Sequence, residues 1–121
     1  IIQKNHTVEC RINAENAKDF SPSPGTIKFI NIPGGRGIRV DTALYTNYKV
    51  NPHYDSLILK IISKGIDRNE SISIMKRALD EIIIEGINTN IELHKWILNH
   101  KDFTNGNYST NWLEKSINDF N

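Results

Sequence analysis

Val8-Glu9-Cys10-Arg11-Ile12-Asn13-Ala14-Glu15 alternates apolar and polar side chains, the period of a strand with one buried face. Val8, Cys10 and Ile12 form the apolar row; Glu9, Arg11 and Asn13 form the other. Backbone pairing would hold the carboxylate, guanidinium and amide of that second row in fixed order. Alternation alone marks such a row as a solvated sheet face, so the rest of the chain must decide whether it does more.

Outward from this strand, Ser21-Pro22-Ser23-Pro24-Gly25 reads as a rigid turn, since each proline holds the residue before it extended. A second strand is expected over 26–32 and a third over 38–41. Between them lies Pro33-Gly34-Gly35-Arg36-Gly37. A phosphate cradle sits between a strand and a helix and ends in Lys-Ser/Thr. Strand patterns flank this loop on both sides and that ending is missing, so it reads as a hairpin connection. Asn51-Pro52-His53 marks another turn, followed by a central strand over 54–63. Asp55 near its start is either a carboxylate with a buried partner or a turn residue open to water.

Asp67-Arg68-Asn69-Glu70 has the form of a helix capping box, and Ile72, Met75, Leu79 and Ile82 recur on one stripe behind it. Helices are expected over 68–81, 90–99 and 110–118, the second opened by a repeat of the capping pattern at Thr89-Asn90-Ile91-Glu92 and the third capped by Ser109 or Thr110. Ile82–Ile84 reads as a short buried strand, and Phe103 and Gly106 as a loop. Expected core residues are Leu57, Ile58, Ile61, Met75, Leu79 and Ile97. The order of elements predicts an α+β fold, an antiparallel sheet with helices packed mainly on one face.

Composition narrows the function classes. The 121 residues suit one domain. A net charge of +1 gives no global field toward nucleic acid or an anionic membrane, and the longest apolar run, Ile82-Ile83-Ile84, is far below the ~20 residues of a membrane span. One cysteine excludes an internal disulfide and fits a reducing compartment, here taken as the cytoplasm. Cys10 on the apolar row should be an inert thiol. His6, His53, His94 and His100 are scattered without metal-ligand spacing, and no nucleophile elbow or dinucleotide fingerprint occurs. Isoleucine and asparagine supply 35 residues, which suits AT-rich coding in a low-GC bacterium. A start at Ile1-Ile2 without methionine suggests a piece of a longer chain. By its residues alone this is a module with one charged sheet face and no self-sufficient active site.

A resemblance gives that face a meaning. Glu-Cys-Arg-Ile-Asn-Ala-Glu at 9–15, Ser21–Gly25 and Pro33-Gly34-Gly35-x-Gly37-Ile38-Arg39 resemble the C-terminal domain of biotin carboxylase. Pro52-x-Tyr54-Asp55-Ser56, Asp67-Arg68, Met75-Lys76-Arg77-Ala78-Leu79 and Glu85-Gly86-Ile87-Asn88-Thr89-Asn90 follow in family order, so the likeness spans about residues 5 to 115. It implies an ATP-dependent ligase that activates bicarbonate and carboxylates biotin on a carrier protein or domain. It also implies an N-terminal domain and an ATP-grasp domain, with the MgATP site, outside this chain, which would be inactive alone.

Arg11 matches the family arginine that contacts bicarbonate and the ureido oxygen of biotin, and Asp55 an aspartate close to it, expected within hydrogen-bond reach. Arg39 matches a residue near a homodimer interface; Arg36 stands where many relatives carry an aromatic residue. The first motif looks more like the biotin carboxylase of acetyl-CoA carboxylase, which serves fatty acid synthesis, or of an acyl-CoA carboxylase, than like pyruvate carboxylase. The rival is a non-catalytic interaction domain that keeps the same sheet.

Overall fold

The computed structural model describes residues 5–51, 53, 55–106 and 111–120. The first strand, β1, runs over His6–Asn13. Short strands follow at Gly25–Thr26 (β2) and Phe29–Asn31 (β3), then Ile38–Thr42 (β4), Lys49–Val50 (β5) and Leu57–Gly65 (β6). Helix α1 spans Arg68–Glu81, β7 is Ile83–Glu85, and α2 (Ile91–Asn99), α3 (Lys101–Thr104) and α4 (Trp112–Phe120) complete the chain.

All pairing is antiparallel, and the α+β class stands. The strands divide, however, into a three-stranded sheet of order β1-β6-β4 and two ribbons, β2-β5 and β3-β7. The expected strand over 26–32 is thus split, its two halves joining different ribbons around the fully buried Ile27. The central strand begins at Leu57; the expected start at Tyr54, like Pro52 and the expected cap at Ser109 or Thr110, lies outside the described residues.

Register explains why β6 is central. Val8 and Ile38 flank Ser63, Cys10 and Val40 flank Ile61, and Ile12 and Thr42 flank Leu59, all on one face. Helix α1 covers that face with Ile72, Met75, Ala78 and Leu79, and Ile61, Met75 and Leu79 have no exposed surface. Each such side chain contributes about 1.5–3 kcal/mol through burial. The buried Ser63 hydroxyl donates to the Ser71 carbonyl at 2.8 Å, so its burial leaves nothing unpaired. Leu57, Ile58 and Ile97 are only half-buried, against expectation. The first two line a groove at the end of the sheet. β7 is also less buried than its apolar run suggests: Ile82 packs inward as the cap of α1, whereas Ile83 is exposed.

The N-cap at Asp67 forms, its carboxylate accepting from Glu70 N–H at 2.8 Å, while the Glu70 carboxylate reaches back one residue further, to Ile66 N–H at 3.4 Å, so the box is not closed on Asp67 itself. α2 has no such side-chain cap, because Asn90 is engaged elsewhere. The expected loop at 101–106 begins with α3, capped by the His100 ring, which accepts from Asp102 N–H. Trp96, His100, Trp112 and Phe120 stack α4 onto α2.

The Pro33–Gly37 loop is not a hairpin turn. β3 pairs with β7 and β4 with β6, so the loop crosses from one sheet to another. Gly37 adopts a φ of +80°, and a Cβ there would lie 2.8 Å from the Lys64 carbonyl oxygen. Arg77 of α1 lies against Gly35 and donates to the Arg36 carbonyl at 3.4 Å.

Gly65 is tight for another reason. A Cβ at this last position of β6 would meet Ser71 N at 2.6 Å, whereas one at Gly34 would meet nothing within 4 Å. Gly65→Ala is expected to cost about 1–3 kcal/mol and Gly34→Ala less than about 0.5 kcal/mol, as read from urea midpoints of the two variants.

Candidate functional site

The open face of the three-stranded sheet carries the candidate residues. Glu9, Ile62 and Arg39 form one cross-strand row, and Arg11, Lys60 and Asp41 the next. Arg11 is exposed, and its neighbour across the pairing is Lys60. Like charges directly opposite in a sheet repel. Asp41, on Lys60's other side, is held instead by Arg39, whose guanidinium makes two 3.1 Å bonds to it. Among the described residues neither Arg11 nor Lys60 forms an ion pair. The row is therefore locally electropositive and suited to meeting an anion.

Beside it opens a groove of about 300 Å³, lined by Asp41, Tyr48, Asn51, Asp55, Leu57 and Lys60 among others. Its rim is shaped by side chains that bond to nearby backbone. Asn51 accepts from His53 N–H at 2.8 Å, and Thr42 donates to the Ile58 carbonyl at 2.9 Å. Asp55 accepts from Leu57 N–H at 3.0 Å. Of the two readings of Asp55, the turn residue is the one found. The expected charge-assisted bond between Asp55 and Arg11 is not made, because the Asp55 carboxylate is turned onto its own loop.

Arg39 and Arg36 both lie on the surface. Arg39 has 72% of its side chain exposed despite the Asp41 pair, so that pair adds little stability. Cys10 lies on the buried face, and its thiol is pushed up to about 12 by burial, with the Glu9 charge adding to the effect. It fits the inert role expected of it. Among the described residues no group of three His, Cys, Asp or Glu side chains is placed to hold a metal ion, and no helix is long and apolar enough to cross a membrane.

Sequence reading missed four residues around Arg11. Lys60 carried a signal, a lone cation inside the apolar run Leu57–Ile62, but its place beside Arg11 depends on register. Asp41 is the same case. Asn90 read as the first residue of a helix capped by Thr89, and His94 as one of four scattered histidines, yet both bond to the Arg11 carbonyl, at 3.1 and 2.8 Å. That carbonyl can only accept, so His94 carries its proton on Nε2.

The family model for the biotin carboxylase C-terminal domain matches residues 9–115. Biotin carboxylase 1 of Bacillus subtilis is 53% identical over 108 residues, covering 88% of this chain and 24% of that protein. A pyruvate carboxylase subunit of Methanothermobacter thermautotrophicus is 48% identical over 93% of this chain and 23% of its own length. Among solved structures, the biotin carboxylase domain of Hydrogenobacter thermophilus 2-oxoglutarate carboxylase, in complex with MgADP, ADP and bicarbonate, superposes with a TM-score of 0.91. It is 41% identical over 95% of this chain and 26% of that one. The chain thus spans about a quarter of the length of the curated relatives it matches.

Burial pushes the His94 imidazole below its ordinary 6.5, against the opposing pull of the Arg11 carbonyl and the Glu15 carboxylate. The unfolded chain therefore takes up this proton first as pH falls. His94's contribution to stability is complete above pH 6.5 and is lost below it, down to the depressed folded value. His94→Gln should accordingly shallow the acid side of the stability curve below pH 6.5, measured by urea unfolding at a series of pH values. Equal slopes for parent and variant would contradict this.

Proposed function

Because the chain belongs to the biotin carboxylase C-terminal domain family, we propose that it is the C-terminal part of a biotin carboxylase. Such an enzyme is an ATP-dependent ligase that uses bicarbonate to carboxylate biotin held on a carrier protein or domain. In this reading the N-terminal and ATP-grasp domains, and with them the MgATP site, belong to sequence beyond residues 1–121. The observation that carries the proposal is Arg11: an exposed guanidinium across from Lys60, which lines a groove, with no carboxylate partner among the described residues.

These residues suit the ureido group of biotin. When a ureido nitrogen gives up its proton, negative charge develops on the neighbouring oxygen. Arg11 is permanently cationic and offers planar donors to that oxygen or to bicarbonate. Its position next to Lys60, costly in an ordinary sheet, is favourable once an anion arrives. Asp55 contributes by fixing the groove's rim rather than by clasping Arg11. Arg36 and Arg39 supply part of a homodimer surface in the full-length enzyme.

We assign the parent enzyme to acetyl-CoA carboxylase, hence to fatty acid synthesis in a bacterial cytoplasm, on the motif at 9–15. Membership of a pyruvate carboxylase is the second reading, favoured by the 48% identity to the Methanothermobacter protein.

Arg11→Ala in the full-length enzyme tests the central claim. Biotin carboxylation should fall ~10²–10³-fold, the usual cost of removing a donor to a developing oxyanion. MgATP affinity and the unfolding midpoint should hold, because an exposed side chain leaves no cavity. Arg11→Lys should recover part of the rate, keeping the charge without the fork. A rate for Arg11→Ala within about twofold of the parent would sink the proposal and leave a non-catalytic interaction domain.

A further inference from the structure

Strand β1 is an edge strand, and an edge ordinarily presents unpaired peptide groups. From Arg11 to Asn13 this edge is instead met by Asn90 and His94. Asn13 N–H donates to Asn90 Oδ1 at 2.8 Å, and Asn90 N–H donates to the Asn13 carbonyl at 3.3 Å. Asn90 Nδ2 donates to the Arg11 carbonyl at 3.1 Å, and His94 Nε2 donates to the same oxygen at 2.8 Å. Asn90 is only 5% exposed, and its side chain meets the edge of β1 as a neighbouring strand would. The network also fixes the Asn90 amide, since N–H must face oxygen and carbonyl must face nitrogen.

The convergence of two donors on one carbonyl is the unusual feature. On its other side Arg11 is paired with Lys60 of β6. Because its carbonyl turns outward, this is a non-hydrogen-bonded pair, and β6 holds the strand through the flanking Cys10 and Ile12. Arg11 is thus fixed by its own carbonyl on one edge and by its two neighbours on the other, and the direction of its Cα–Cβ bond follows. A guanidinium on four rotatable bonds has much freedom to lose, so a fixed root matters for placing its tip. The register irregularity of β1 falls just beyond, between Ile12 and Asn13, where an edge would otherwise drift. Asn90 forgoes the side-chain cap of α2 to make these contacts.

We propose that Asn90 and His94 are positioning residues for Arg11, holding its peptide through the carbonyl so that the guanidinium keeps its place over the open sheet face. The inference rests on the proposed role of Arg11 in carboxyl transfer.

A double-mutant cycle in the full-length enzyme tests it. His94→Leu removes one donor, and Asn90→Asp keeps the oxygen for Asn13 N–H while removing the other. Each should lower biotin-dependent kcat about tenfold with KM for MgATP unchanged, and His94→Gln, which retains an N–H, should recover most of the loss. In an Arg11→Ala background neither change should cost anything more, since both act through that side chain. The same tenfold loss in that background would show a merely structural role and overturn the inference, as would full activity of both single variants. Should one variant fail to fold, the other decides by the same cycle. Full activity of Arg11→Ala itself would instead remove the functional reading on which the inference rests, so the two failures are told apart.

Discussion

The structure depends on one constraint: β6 must bury one face completely while pairing on both edges. Leu59, Ile61 and Ser63 face α1, and their partners on β1 and β4 complete an inner surface that Met75 and Leu79 fill. Because successive side chains in a strand alternate, this burial fixes the opposite face without further instruction. Lys60, and with it Arg11 and Asp41, must then look outward. A slip of one residue would bury two cations, a cost no groove could offset. Apolar packing on one side therefore enforces the charge arrangement on the other.

That arrangement departs from what stability alone favours. Arg11 and Lys60 stand opposite each other without an intervening carboxylate, while the nearby Asp41 is neutralised by Arg39. Repulsion between exposed cations is modest in water, on the order of 1 kcal/mol at 4 Å, so the fold tolerates it. In return the face presents two cations that no carboxylate among the described residues neutralises. Cys10, directly behind Arg11 on the strand, takes no part, since its buried thiol keeps its proton.

Legibility followed the range of the interactions. The alternation of Val8 to Asn13 and the stripe of Ile72, Met75 and Leu79 are local patterns with one physical meaning, and the strand and helix they predict are present. The side-chain cap at Asp67 is equally local and forms. What failed was non-local. Alternation on either side of Pro33–Gly37 suits any antiparallel partner, and only the folded chain assigns β3 to β7 and β4 to β6. The capping pattern at Thr89–Glu92 placed the cap one residue early; the cap is Asn90, whose side chain bonds to β1 instead of to α2. Arg11 and Asp55 were legible as candidates from motif resemblance. Their separation was not, because Asp55 satisfies itself with the Leu57 N–H two residues on. Lys60 and His94 could not be linked to Arg11 without the register and the approach of α2.

An exposed guanidinium, however well placed, is a weak catalyst by itself. In water its interaction with a developing oxyanion is screened; at an effective dielectric constant near 20 the same contact at 4 Å strengthens to ~4 kcal/mol. Placement and dielectric are separate requirements, and in the proposed reading this chain supplies the first. In the proposed role, the sheet and the Asn90–His94 pair, which holds the Arg11 carbonyl, would remove reorganisation from the moment of charge development. The second requirement needs a cover that expels water from the open face, and the groove beside Lys60 is the concavity such a cover would close. A biotin carboxylase built this way would divide the work between a fixed donor on one domain and a closing surface on another. In such an enzyme Arg11 would gain its full effect only when carrier-bound biotin and the rest of the enzyme were in place.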